Sequence, residues 1–79
     1  MMWKEENNRL TKEFIFKDFK QAIAFILQTA MIAEKLQHHP DLYNSYNKVT
    51  LSLTTHDSGN HITGKDRKFA EMVDQLDLP

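Results

Sequence analysis

At 79 residues the chain has room for one domain, expected to span 1–79, because two cores would each bury too little apolar surface to offset chain entropy. Its 41% apolar and 27% charged residues fit a folded globular protein and disfavour a disordered or fibrous class. Ten basic against eleven acidic residues leave a net charge of −1, with no basic block to suit nucleic acid, and the lack of cysteine excludes disulfides, thiolate metal sites and a cysteine nucleophile.

The polar stretch Met1 to Asn8 lacks the apolar centre of a signal peptide, and the longest apolar run, Ala22 to Leu27, is too short to cross a bilayer. A cytoplasmic protein with no membrane contact is therefore expected. Between Trp3 and Phe16, Glu6-Asn7-Asn8-Arg9 offers two asparagines that tolerate positive φ, followed by β-favouring residues up to Phe14-Ile15-Phe16; this predicts a hairpin. Asp18, with Gln21 three residues on, predicts a helix starting at Phe19. Its apolar positions Phe19, Ala22, Ile23, Ile26, Leu27 and Ala30 form one face for a sheet. Ala24, Phe25, Met31 and Ile32 add apolar surface elsewhere around the axis, which points to a second element or a second subunit. The helix should end near Gln37, since Pro40 pushes His39 out of the α region.

Leu42 to Ser45 is a strand candidate, and Tyr46-Asn47 a turn into Lys48 to Thr54, where Val49, Leu51 and Leu53 alternate with Thr50, Ser52 and Thr54 as in a strand with one buried face. Ser58-Gly59-Asn60 marks a loop. Thr63-x-x-Asp66 predicts an acidic capping box opening a second helix with Phe69, Met72, Val73 and Leu76 on one face. The order β-β-α-β-β-α predicts an α+β two-layer sandwich, a four-stranded antiparallel sheet with both helices on one face.

Chemistry must come from histidines, carboxylates or hydroxyls. His38 and His39 close the first helix and His56 follows the best-marked strand, and element ends are where small folds place function. Glu34, one turn before His38, is expected to hold its ring and make it a proton donor, leaving His39, turned away before Pro40, as a base. Capping alone explains histidines at a helix C-terminus about as well, and it explains Asp66 at the third position of a helix. A metal held by Glu34, His38, His39 and His56 is the weaker alternative, because neighbouring histidines in a bend seldom point at one ion. His61 reads as a surface residue, and Trp3, Tyr43 and Tyr46 as packing.

The runs Glu34-Lys35-Leu36-Gln37-His38-His39-Pro40, Tyr46-Asn47-Lys48-Val49 and Leu53-Thr54-Thr55-His56-Asp57 together resemble the pterin-4a-carbinolamine dehydratase (dimerisation-cofactor) family. Phe16-Lys17-Asp18-Phe19 and Ile62-Thr63-x-x-Asp66 extend the likeness over nearly the whole chain. It departs in three places: the family's helix before the position of Trp3 is expected to be missing or supplied by a partner, Leu42 replaces a frequent aromatic, and Gln37 replaces a frequent acid.

The resemblance implies dehydration of a 4a-hydroxytetrahydropterin to the quinonoid dihydropterin, in recycling of the cofactor of an aromatic amino-acid hydroxylase, with neither metal nor cofactor. It implies His38, His39 and His56 as catalytic, Glu34 and Asp66 as supporting, and Pro40, Thr54 and Thr55 against the pterin. Acid by His38 or His56 and base by His39 is the expected division. A homodimer or homotetramer is expected, through the second apolar side of the first helix and the free sheet edge. A non-catalytic dimerisation or protein-binding module on the same fold is the alternative.

Overall fold

The computed structural model describes residues 2–76; the ends of the expected domain, Met1 and residues 77–79, lie outside it. Strands β1 (Lys4–Glu6) and β2 (Arg9–Ile15) are followed by helix α1 (Phe19–Leu36), strands β3 (Asp41–Ser45) and β4 (Lys48–Leu53), a 3-10 turn at His56–Ser58, and helix α2 (Gly64–Asp74). The expected order β-β-α-β-β-α and the four-stranded antiparallel sheet are both observed, with strands arranged β1-β2-β4-β3.

The first hairpin turns where two asparagines accept left-handed backbone, Asn7 at φ 52° and Asn8 at φ 62°, with Glu6 opposite Arg9. A two-residue turn of this kind matches the right-handed twist of its strands. The second hairpin turns at Tyr46, φ 52°. It is latched to the end of β2 by Phe16 N–H donating to Asn47 O (2.8 Å) and Asn47 Nδ2 donating to Phe16 O (3.0 Å).

At the centre of the sheet β2 pairs with β4, placing Leu10 opposite Leu53 and Phe14 opposite Val49. Period-2 alternation then sends Leu10, Val49, Leu51 and Leu53 into the core and leaves Thr11, Glu13, Thr50 and Ser52 on a polar face. The face that carries Leu10, Val49, Leu51 and Leu53 is the one the helices cover.

Asp18 caps α1 by accepting from Gln21 N–H at 2.9 Å, while Gln21 Oε1 accepts from Lys17 N–H, one residue before the cap. The buried stripe of α1 differs from expectation. It runs through Ala22, Phe25, Thr29, Ile32 and Ala33, whereas Leu27, 63% exposed, Phe19 and Ala30 face outward. A helix apolar on two sides satisfies the helical period in either rotation, and the larger aromatic decides between them. Phe25 enters the core between Phe14 and Phe16, with ring centroids at 4.6 and 5.0 Å; burying such a ring is worth about 1.5–3 kcal/mol.

On α2, Phe69, Ala70 and Val73 are buried, with Met72 and Leu76 at the margin. Trp3 packs edge-on against Phe14 at 6.0 Å. Tyr43 and Tyr46, expected to pack, are instead exposed: Tyr43 lies on the uncovered face of β3, opposite Thr50, and Tyr46 sits at a turn tip.

Candidate active site

The end of α1 separates two histidines. Gln37 adopts the left-handed conformation (φ 49°, ψ 46°), and the N–H groups of His38 and Gln37 return to Ala33 O (3.1 Å) and Glu34 O (3.4 Å). This is a Schellman closure, normally occupied by glycine at the left-handed position. The reversal sends His38 inward across the start of α2 and His39 back over the last turn of α1.

Consequently Glu34 pairs with His39, not with His38 as its spacing predicted: Glu34 Oε2 lies 2.6 Å from His39 Nε2. The i,i+4 rule assumed a helical backbone through residue 38, and the left-handed Gln37 breaks that geometry. The pair is open to solvent, so it contributes no more than about 1 kcal/mol to stability.

His38 is buried and its Nε2 lies 2.6 Å from Oδ1 of Asp66, a side chain with 0% exposure. Asp66 Oδ2 accepts from Thr63 N–H (2.9 Å) and from the Thr55 hydroxyl (2.7 Å). Capping alone, the simple explanation for Asp66, accounts for one oxygen only; the other holds His38. Burial alone raises the Asp66 pKa. The hydrogen bond from His38 opposes it first, then the Thr63 amide, the Thr55 hydroxyl and the charge that His38 carries when protonated, and together they hold the carboxyl below its ordinary value.

His56 opens the 3-10 turn, with Nδ1 2.8 Å from Asn60 Oδ1. Each of the three histidines thus has one ring nitrogen engaged by an acceptor: Nε2 of His38, Nε2 of His39 and Nδ1 of His56. Engagement of one nitrogen fixes the neutral tautomer and leaves the other to exchange a proton.

The three imidazoles line a single cleft of about 340 Å³, together with Gln37, Pro40, Asp41, Thr55, Asp57 and Lys65. Of the residues expected against a ligand, Pro40 and Thr55 line it and Thr54 does not. Thr54 is buried, and its hydroxyl donates to Asn8 O at 2.9 Å. The backbone of Thr55 is already partnered: its N–H donates to His61 O (3.0 Å), and its C=O accepts from Ser58 N–H (3.2 Å) and Asn60 N–H (3.0 Å).

Asp57 and Lys65 were missed in the sequence. Asp57, beside His56 in the turn, carried a positional hint; Lys65 carried none, because α2 meets the end of α1 only in the folded chain. Among the described residues, no three His, Asp or Glu side chains gather as a metal site would need. A larger hollow of about 550 Å³, between Trp3, Leu10 and Ala70, has no histidine in its lining; groups suited to proton transfer near neutral pH are in the smaller cleft. Among the described residues, no helix is long and apolar enough to span a membrane.

The sequence profile of pterin 4 alpha carbinolamine dehydratase matches residues 1–76. The chain belongs to this family. A relative from Prochlorococcus marinus, provisionally named a pterin-4-alpha-carbinolamine dehydratase, is 47% identical over 74 residues, which is 94% of this chain and 77% of the relative. Another from Metallosphaera sedula, named in the same provisional way, is 45% identical over 95% of this chain and 77% of its own length. Among solved structures, a transcriptional coactivator/pterin dehydratase from Brucella melitensis superposes with a TM-score of 0.85 at 42% identity, over 91% of this chain and 78% of that one. A pterin dehydratase-like protein described as a RuBisCO assembly factor in the alpha-carboxysome superposes at 0.80 with 26% identity, over 94% of this chain and 87% of the other.

Proposed function

We propose that this chain dehydrates a 4a-hydroxytetrahydropterin to the quinonoid dihydropterin by general acid–base catalysis. The observation that carries the reading is the convergence of His38, His39 and His56 on one cleft, each with one nitrogen engaged. In the reaction an acid gives a proton to the departing hydroxyl, which leaves as water. A base removes the proton on the neighbouring ring nitrogen, and the freed electron pair forms the C=N bond. One proton enters and one leaves, so two imidazoles suffice, and each such transfer contributes about 10²–10⁴-fold.

We assign the base to His39, whose Nε2 is held by Glu34 while Nδ1 is left to accept. The acid is His38 or His56. Pro40 and Thr55 form wall against the pterin, and the physiological setting is cytoplasmic pterin recycling beside an aromatic amino-acid hydroxylase. The assembly is a homodimer or homotetramer through the outward side of α1, where Phe19, Leu27 and Met31 are exposed, and the free edge of β3.

The deciding experiment follows loss of a freshly generated 4a-carbinolamine by stopped-flow absorbance. Acceleration that survives a chelator and collapses in His39→Ala is expected; purified protein with no acceleration removes the dehydratase reading. The second reading, a protein-binding module, draws on the same exposed stripe of α1 and on the assembly role named for one structural neighbour. It predicts that polar substitutions on α1 abolish partner capture, whereas His39→Ala does not.

A further inference from the structure

Thr55 has no free backbone group and lies 4% exposed, yet its hydroxyl sits between two others: 2.6 Å from Thr63 Oγ1 and 2.7 Å from Asp66 Oδ2. The direction of every proton in this cluster follows by elimination. Asp66, held below its ordinary pKa, is an anion and only accepts. Thr55 therefore donates its hydroxyl proton to Asp66 Oδ2. Its oxygen then accepts from the Thr63 hydroxyl, whose own oxygen accepts from Lys65 N–H at 3.3 Å. Three N–H and O–H dipoles, at Lys65, Thr63 and Thr55, thus point in series toward one carboxylate, which turns its other oxygen to His38 Nε2 at 2.6 Å. Chains of this kind polarise one another in a low-dielectric interior.

Among the described residues, the buried side-chain polar atom left without a partner is Thr29 Oγ1. His38 Nδ1, which has no partner among the described residues, is therefore not sealed in, and the ring lies against the cleft. We infer that Thr55 is a positioning residue: through Asp66, its hydroxyl holds the His38 ring with a proton on Nε2 and turns Nδ1 to the cleft, bare in the neutral ring and carrying the transferable proton in the imidazolium. The consequence for turnover rests on the dehydratase reading above; the tautomer does not. Thr55 also immediately precedes His56, and its backbone clamps the 3-10 turn that carries that ring. One residue thereby sets two of the three imidazoles.

The test is long-range ¹H–¹⁵N correlation on uniformly ¹⁵N-labelled protein above the histidine titration range, for the wild type, Thr55→Val, Thr55→Ser and Thr55→Cys. The wild type and Thr55→Ser are expected to show His38 protonated on Nε2. Thr55→Val, which keeps the shape and loses the donor, shows a tautomer mixture, and Thr55→Cys, a weak donor, shifts the same way by less. In the dehydration assay kcat falls about three- to tenfold in Thr55→Val, the loss expected for one hydrogen bond, with KM nearly unchanged and recovery in Thr55→Ser. A wild-type ring protonated on Nδ1 overturns the inference even if Thr55→Val does not fold, and so does a Thr55→Val spectrum identical to wild type. An Nε2–H ring that Thr55→Val turns into a tautomer mixture, in a protein whose wild type has no dehydration activity, upholds the positioning and overturns the dehydratase reading alone.

Discussion

His38 and Asp66 are 28 residues apart in the chain and 2.6 Å apart in space, so the contact that fixes one imidazole also ties the end of α1 to the start of α2. The Asp66 carboxyl is held below its ordinary value of 3.8. The folded chain thus binds this proton less readily than the unfolded chain. The stability it contributes is fully present above 3.8 and is lost as pH falls through the lower folded value. Asp66→Asn should cost about 2 kcal/mol at pH 7, a charge-assisted bond in a buried site, and should flatten the decline of stability as pH falls below 3.8. Urea titrations across that range measure both, and acid limbs that stay parallel would contradict the assignment.

The Glu34–His39 pair is exposed and makes a different prediction. Glu34→Gln should change unfolding free energy by less than about 1 kcal/mol while lowering the dehydration rate, because the ring it holds is the proposed base. His39→Ala should reduce kcat by about 10²–10⁴-fold with a melting temperature close to that of the parent. A stability loss matching the rate loss would make the pair structural.

Gln37 occupies a left-handed position that disfavours any residue with a Cβ by about 1–2 kcal/mol. Gln37→Gly gives up one side-chain hydrogen bond, from Gln37 Nε2 to Glu34 O, and should still raise stability by about 0.5–1 kcal/mol in chemical denaturation. A drop would show that the side-chain bond outweighs the backbone relief.

Thr29 is fully buried on α1 and its hydroxyl has no partner among the described residues. Thr29→Val keeps the shape and removes the unpaired group, so unfolding should become about 1 kcal/mol more costly. Thr29→Ala opens a void instead and should not reproduce the gain.

Leu27 and Met31, 63% and 75% exposed, stand one turn apart on α1. Leu27→Lys should lower the mass seen by light scattering at micromolar concentration to that of a single chain, and should shift stability of the isolated chain by no more than about 0.5 kcal/mol. A monomeric parent would remove the proposed assembly.

Local chemistry in the chain determined the elements. Paired asparagines made the first turn, Asp18 and Thr63 opened the helices, and the alternation of Val49, Leu51 and Leu53 marked the central strand, because each of these signals acts over a few residues. The histidine positions were legible for the same reason, as element ends and as part of a family pattern. Only tertiary structure decided which side of α1 is buried, since both sides satisfy the helical period and the choice turned on the fit of Phe25 between two rings of β2 and its following residue. It also decided the carboxylate partners. Spacing offered Glu34 to His38, but one left-handed residue at Gln37 gave Glu34 to His39 and delivered His38 to Asp66, a contact between elements distant in the chain that no local rule encodes.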